Sequence, residues 1–438
     1  MALIAGIELL RGILIQTKIY DCSLGTSSRM FDLNKYVIFD PSDSEFINNP
    51  YPTYKILRDH DPVHQTAGGF WVLSRYEDVA AGLKDPKLSN RPAAFALVNR
   101  RNADRYMAAK VANGLIAFLD PPEHRGPRRL IATTCNAFFK GKEGFAGDVA
   151  DELLGRLRHK PEIEFVQDFS IPFATTCISR IMGFPDADAG LLKHWSGLFF
   201  YLFHAIPNRE ILAEVNQALS EFRDYVQEHV EMRKRSPGDD LLSQLLNAGG
   251  GEEALSEREV IDNVMLLTAD GIENVQAGLS AAVYTLLGNP DQLQRMIADR
   301  TLIGAAVDEC LRYESPGQYQ GRVVRETLEI GGQTIKAHSV VLLVLGSANR
   351  DPAVFSEPDR FVVGRAGPRH VAFGVGRHAC IGGALVNMEF SAALGSLFNG
   401  ARVMLTLQPG VTWTSRAGHR WLSTLPLNCR WHTESVAN

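Results

Sequence analysis

The sequence predicts a single, mainly α-helical domain with small β-sheets, and three observations lead there. Between residue 121 and about residue 287 apolar residues recur at helical spacing, with Leu153, Leu157, Phe165, Phe169, Phe173, Cys177 and Ile181 separated by four residues or a multiple of four. Within that block, residues 257–287 run about thirty positions without proline and are apolar on most faces. As a helix this stretch would reach roughly 45 Å, enough to cross the molecule. Short strand signals lie on either side, without the βαβ alternation of a Rossmann or barrel fold.

The elements follow in order. Residues 1–16 are mostly apolar, but Glu8 and Arg11 interrupt them. The run is too short for a membrane span, and its charges are wrongly placed for a secretory signal. Residues 1–28 are therefore expected to form a loosely attached extension, and residues 29–438 the domain. Residues 69–73 read as extended, with Phe70 and Val72 alternating with their neighbours. After the helical block, strands are expected at 322–324, 327–330, 333–335 and 340–344, with Gly331-Gly332 as a turn between two of them. A coil rich in Asp, Pro and Arg covers 348–369, and an apolar helix is expected over 384–398.

Composition removes several function classes. The 438 residues are 45% hydrophobic and 22% charged, which excludes a disordered chain and a bundle of membrane helices. With 45 Lys and Arg against 50 Asp and Glu, the net charge is −5, so nucleic acid is not an expected partner. The cysteines Cys22, Cys135, Cys177, Cys310, Cys380 and Cys429 form no C-x-x-C pair, and their spacing fits neither a disulfide framework nor a zinc site. They read as the reduced thiols of a cytoplasmic protein.

Residues 373–382, Phe-Gly-Val-Gly-Arg-His-Ala-Cys-Ile-Gly, carry the chemistry. Glycines at these positions let the backbone turn tightly and approach a flat ligand. Amides at the start of the next helix, together with Arg377, would favour a thiolate at Cys380, the form a metal binds.

This loop resembles the haem-binding signature of the cytochrome P450 family, F-G-x-G-x-H-x-C-I-G, at every fixed position. Glu309-Cys310-Leu311-Arg312 resembles the family's E-x-x-R. Residues 348–352 with Pro358-Asp359-Arg360-Phe361 resemble the segment before the Cys loop, and Asp120-Pro121-Pro122-Glu123-His124 the start of the C helix, in the soluble bacterial members. The matches keep the family's order from about residue 31 to the C-terminus. The resemblance implies a triangular helical prism with haem held between the long (I) helix and the helix after the Cys loop (L).

Carried over by position, Cys380 is the axial thiolate ligand of haem b iron. Phe373, Gly374, His378 and Gly382 belong to the same haem-binding loop. His124, Arg128, Arg322 and His378 fall at positions that hold the propionates. Glu309, Arg312 and Arg360 are expected as the buried ion network that fixes the loop. Proline at 127 is expected to disturb the first turns of its helix and so the aim of Arg128. On the long helix the family pattern A-G-x-E/D-T-T is replaced by Asp270-Gly271-Ile272-Glu273-Asn274-Val275. Gly271 would leave room for dioxygen, and Glu273 keeps the acid of the acid-alcohol pair. Asn274 replaces the alcohol and Asp270 the alanine; an amide can hold a water but is a poor proton relay.

The resemblance further implies a mostly apolar substrate pocket. Its walls are expected to include Phe95, Leu97, Leu115, Phe199, Leu267, Gln318, Tyr319 and Leu422. The expected reaction inserts one atom of O2 into a terpenoid, fatty acid, polyketide or similar molecule. Electrons would come from NAD(P)H through ferredoxin reductase and ferredoxin to a monomeric protein without a transmembrane anchor. A peroxide-dependent haem-thiolate enzyme and a non-catalytic haem-binding module stand as alternatives.

Overall fold

The longest apolar run becomes the longest helix, Glu257–Gly288. Its start is set by a capping box: Ser256 Oγ accepts the Glu259 amide N–H, and the Glu259 carboxylate accepts the Ser256 amide N–H. It stops where Pro290 begins the next helix, Pro290–Ala298. The computed structural model describes residues 39–432 apart from 143, 205, 252, 253, 400 and 401, so the expected extension 1–28 lies outside the described residues.

The long helix is buried on nearly all sides because helices wrap it. Ile171–Met182, Ala189–Phe199 and Arg209–Arg235 pack along its first half, with Ile178, Phe222 and Val264 in one apolar core. Phe169, Leu279 and Phe390 belong to a second core towards its other end. Gly278 matters there, since a Cβ would stand 2.7 Å from the Phe390 ring. The helix Gly383–Leu397, which carries Phe390, can therefore come close only past a residue without a side chain.

The four-residue apolar row is buried, yet it is not one helix. Leu153 and Leu157 lie on Phe145–Leu157, and Phe165 follows a short strand, Glu162–Glu164, that interrupts the expected helical block. Phe169 sits in one turn of π-helix, while Phe173, Cys177 and Ile181 line Ile171–Met182.

A five-stranded sheet orders the strands as Val63–Gln65, Trp71–Leu73, Val340–Leu343, Gln320–Val324 and Leu88–Ser89. Trp71–Leu73 lies inside this sheet, parallel to Val340–Leu343, and all three of its side chains are buried. The expected alternation fails because an inner strand is covered on both faces. Phe70 is half-exposed and stacks on Phe95 at 6.4 Å. Gly331 and Gly332, with φ of 55° and 78°, close the hairpin between Leu328–Ile330 and Gln333–Ile335, as a two-residue turn requires.

Polar groups on the first half of the long helix tie down the segment 107–118. Asn263 accepts the Ile116 N–H at 3.0 Å and donates to the Gly114 carbonyl at 3.2 Å, and Arg258 reaches the Lys110 carbonyl at 3.3 Å. Asp262 is fully buried between Arg223 and Arg258. Burial pushes its carboxyl up, and the two guanidinium groups oppose that shift. Gly114 packs directly against this carboxylate, and any Cβ there would overlap it. Gly114→Ala should therefore destabilise the protein by about 1–3 kcal/mol, as overpacking of a buried site does. Gly144→Ala, with open space around it, should stay within about 0.5 kcal/mol of wild type. Thermal unfolding measures both; equal melting temperatures for the two variants would remove this account.

Candidate active site

The Cys loop is a tight hairpin built on backbone hydrogen bonds. Gly374 N–H donates to the Val371 carbonyl and Cys380 N–H to the Phe373 carbonyl, each at 2.8 Å. Gly374 and Gly376 have φ of 63° and 81°, a region that side-chain-bearing residues rarely adopt. The turn presents Cys380 at the wall of a cavity of about 2620 Å³. Opposite stands the long helix, with Leu266, Leu267, Asp270, Gly271, Asn274 and Val275 facing the same space.

Burial pushes the Cys380 thiol up to about 11, and the carboxyl of Asp270 adds to that. The amides of Gly382 and Gly383 and the guanidinium of Arg128 pull the other way. The cation beside the thiol is thus Arg128. Arg377, expected in that role, is spent on the carbonyls of Lys84, Asp85 and Leu88. Pro127 does no harm, because the helix Arg125–Phe139 begins just before it and the first turn needs no amide from that position. Arg128 donates to the Ala379 carbonyl, next to Cys380.

Behind the loop lies a fully satisfied ion network. Arg312 pairs with Glu309 through Nε at 2.7 Å and Nη2 at 2.9 Å, and donates to the carbonyls of Asn349, Pro358 and Arg360. Glu309 also accepts the Val362 N–H at 2.8 Å and the Arg365 Nε at 3.1 Å. Arg360 contributes only its carbonyl; its side chain turns to solvent and pairs with Glu357. The third ionic member is Arg365. Asn349 then accepts the Val371 N–H at 2.7 Å, which carries the network's position into the Cys loop.

A buried cationic cluster stands at the cavity floor. Arg322 is 5% exposed, bonds only Gln320 and its neighbour's carbonyl, and is lowered to about 10 by burial, with Arg377 adding to the shift. The rings of His124 and His378 lie 4.2 Å apart, and Nε2 of each is buried without a partner. Burial lowers them to about 4 and about 3; Arg128 next to His124, and His124 next to His378, add to this. Among the described residues no carboxylate bonds Arg322, His124 or His378, and Asp120, which acts on the first two, already holds Ser89. The two histidines are thus held neutral, and the Arg322 guanidinium is left away from water without an anion, which is unfavourable. A flat dianion with a thiolate-seeking metal would meet Arg322, the orphan nitrogen of His378 and Cys380 together, all of which line the cavity, so haem fits the residues present.

Other expectations divide. Leu97, Leu267, Tyr319, Phe373 and Gly382 line the cavity. Phe95 lines it too, but at the mouth, 72% exposed. Leu115, Phe199 and Leu422 instead point into the apolar cores, and Gln318 is folded back on the Ser315 carbonyl. Ile116, Phe200 and Tyr319, the immediate neighbours of Leu115, Phe199 and Gln318, take the wall positions. Gly271 lines the cavity, yet its missing Cβ would point at Ile178, 2.8 Å away, so it also serves helix packing. Glu273 faces away from the cavity, paired with Lys193 at 2.5 Å and with Gln276 at 2.9 Å. Lys193 and Arg365 carry no local sequence signal; only the tertiary pairing reveals them.

Comparison with known proteins agrees with this geometry. The sequence matches the family described as Cytochrome P450 over residues 70–405. It is 34% identical over 366 residues to the "Biotin biosynthesis cytochrome P450" of Bacillus subtilis (strain 168), covering 81% of this chain and 90% of that one. Among solved structures it resembles CalO2, with a TM-score of 0.83 at 29% identity over 90% of this chain and 99% of that one. P450BioI in complex with hexadec-9Z-enoic acid ligated acyl carrier protein gives 0.80 at 32% identity, over 89% of this chain and 100% of that one.

The orphan histidines give a pH dependence. His124 and His378 titrate near 4 and 3 in the folded chain but near 6.5 when unfolded. Their contribution to stability is thus complete above about pH 6.5 and is lost as pH falls towards 4. The haem-free protein should show a melting temperature that drops through this window. The double variant His124→Gln, His378→Gln should give a shallower slope, and an identical slope would contradict the assignment.

Proposed function

Because the chain belongs to the cytochrome P450 family of monooxygenases, we propose that it inserts one atom of O2 into an apolar small molecule, using electrons passed from NAD(P)H through ferredoxin reductase and ferredoxin. The observation that carries this reading is the cavity itself, with Cys380 on one wall, the polar turn of the long helix on the other and apolar side chains between. When bound, haem b supplies the activation of O2.

The chain's own residues do the rest. Cys380 would hold the iron as thiolate, losing its proton on binding. Arg322 and His378, which line the cavity, would hold the propionates, with His124 buried beside His378. Glu309, Arg312 and Arg365 keep the loop at a fixed distance from the long helix. Leu97, Leu267 and Phe203 exclude water from the reacting centre, and Phe95 with Phe70 frames the entrance. Asn274 orients a polar atom by hydrogen bonding.

A fatty acyl or polyketide chain suits the large apolar cavity, and a terpenoid fits the same lining. The relative seen with a fatty acid on an acyl carrier protein supports testing carrier-bound acids first. No helix among the described residues is long and apolar enough to cross a membrane. A cytoplasmic monomer is the proposed working form.

Ferredoxin is proposed to dock on the Cys-loop side, where Arg125, Arg129 and Lys140 are exposed. Lys142 is partly neutralised by Asp239 at 3.5 Å, and Arg377 is held by backbone carbonyls, which weakens the part these two play in the patch. Electron transfer should slow steeply between low and physiological salt, as charge-steered encounters do; a flat profile would exclude this face.

The reduced carbon monoxide complex tests the core of the reading. It should absorb at the position typical of thiolate ligation, and Cys380→Ala should lose that signature while Cys135→Ser and Cys429→Ser keep it. NADH consumption that depends on ferredoxin and its reductase, with a substrate found by its shift of the Soret band, establishes the activity. Retention of the thiolate signature in Cys380→Ala would overturn the assignment.

A further inference from the structure

Resting on the reading of Cys380 as haem ligand, we propose that Asp270 is the group that holds and supplies protons in the cavity above the haem, in place of the alcohol whose position Asn274 occupies. Among the described residues the long helix presents two polar side chains to the cavity, Asp270 and Asn274. They stand four residues apart and so share one face, a turn from each other. An amide carries no transferable proton at neutral pH. Glu273, the acid expected to relay protons, does not line the cavity; it is buried and tied to Lys193 and Gln276. That leaves one acid of the long helix on the cavity side.

The carboxyl of Asp270 has no hydrogen bond or ion pair among the described residues. Across the cavity it acts on the Cys380 thiol as a like charge. The ionisable groups that line the cavity include Cys380 and His378 on the loop, Arg128 and Cys135 on the helix Arg125–Phe139, Arg322 on its strand with Tyr319 just before it, the pair His204 and His419, and the acids Asp40, Asp43 and Glu45 on the segment 40–45. None of them bonds to it. An unpaired carboxylate in such a space is unfavourable, and burial alone pushes this group up to about 7. Near neutrality it is thus present in both forms and can cycle between them.

Inserting one atom of O2 and releasing the other as water consumes protons along with the electrons from NAD(P)H. In the proposed step the O–H bond of Asp270 breaks, its proton passes to an acceptor oxygen in the cavity, and a carboxylate remains. The carboxylate recovers a proton from bulk solvent, relayed by water entering at the mouth beside Phe95, so that the proton consumed in each turnover is drawn from solution. Asn274, one turn along, positions the acceptor by hydrogen bonding.

The test uses reduced, haem-loaded protein with carbon monoxide as the probe, followed by infrared difference spectroscopy on photolysis. Wild type should show a protonated-carboxyl band that responds to release of carbon monoxide. The band should vanish in Asp270→Asn and Asp270→Ala and persist in Glu273→Gln. The carbon monoxide stretch should move between about pH 6 and pH 8 in wild type, because the donor is lost as the carboxyl ionises, and stay fixed in Asp270→Asn. With a ferredoxin and its reductase, dioxygen consumption should fall about tenfold or more in Asp270→Asn. Absence of the band in wild type, its survival in Asp270→Asn, its loss in Glu273→Gln or an unchanged rate would each overturn the inference. If wild type keeps the thiolate absorption but gives no carboxyl band, the inference alone fails; if it lacks the thiolate absorption, the haem reading falls with it.

Discussion

Two charges buried together govern where everything else sits. Glu309 and Arg312 are 3% and 2% exposed, so every lone pair and N–H they carry must be met inside the protein. The partners come from residues 349–365, a stretch with almost no regular secondary structure of its own. Its path is dictated by the need to deliver carbonyls and amides to the pair. Once that path is fixed, Asn349 holds the Val371 amide and the hairpin that ends at Cys380 can close in only one place. Such a pair adds little net stability over apolar residues of the same volume, but it specifies one arrangement of an otherwise featureless coil.

The cavity floor shows the opposite condition. Arg322, His124 and His378 are placed by well-packed elements, yet their charge or polar atoms are not matched by protein anions. The chain as a whole is acidic, at −5, so an unmatched buried guanidinium is a property of the site and not of composition. On the proposed reading, a dianionic cofactor would complete this site electrostatically, and binding it would add to the stability of the fold.

The sequence made some of this legible and hid the rest for physical reasons. Long-range order was readable where one residue type can do the job: glycines at positive φ, a thiol before a helix, a proline-free apolar run. Choices between neighbours were not. Leu115 or Ile116, Phe199 or Phe200, Gln318 or Tyr319 are equivalent by pattern, and they sit where short turns replace regular helix or strand, so no period says which one faces the cavity. Arg360 and Arg365 are both arginines in an aperiodic coil, and only the closing of that coil around Glu309 decides between them. Glu273 was identifiable as an acid on the right helix, but its direction depends on Lys193, which lies on another helix. The candidate site was therefore legible in its Cys loop and the scaffold behind it, and much less so in its walls.

The close approach of Gly114 to Asp262 has a meaning for how this protein can vary. The two positions are about 150 residues apart in sequence yet occupy one volume, so they behave as a single heritable unit. A side chain at 114 is costly in chains that keep the carboxylate at 262, and losing that carboxylate leaves the half-buried Arg223 without it. Lineages would cross this gap by compensated changes, and directed libraries that diversify residues 107–118 to alter the substrate should randomise 262 and 223 in the same step.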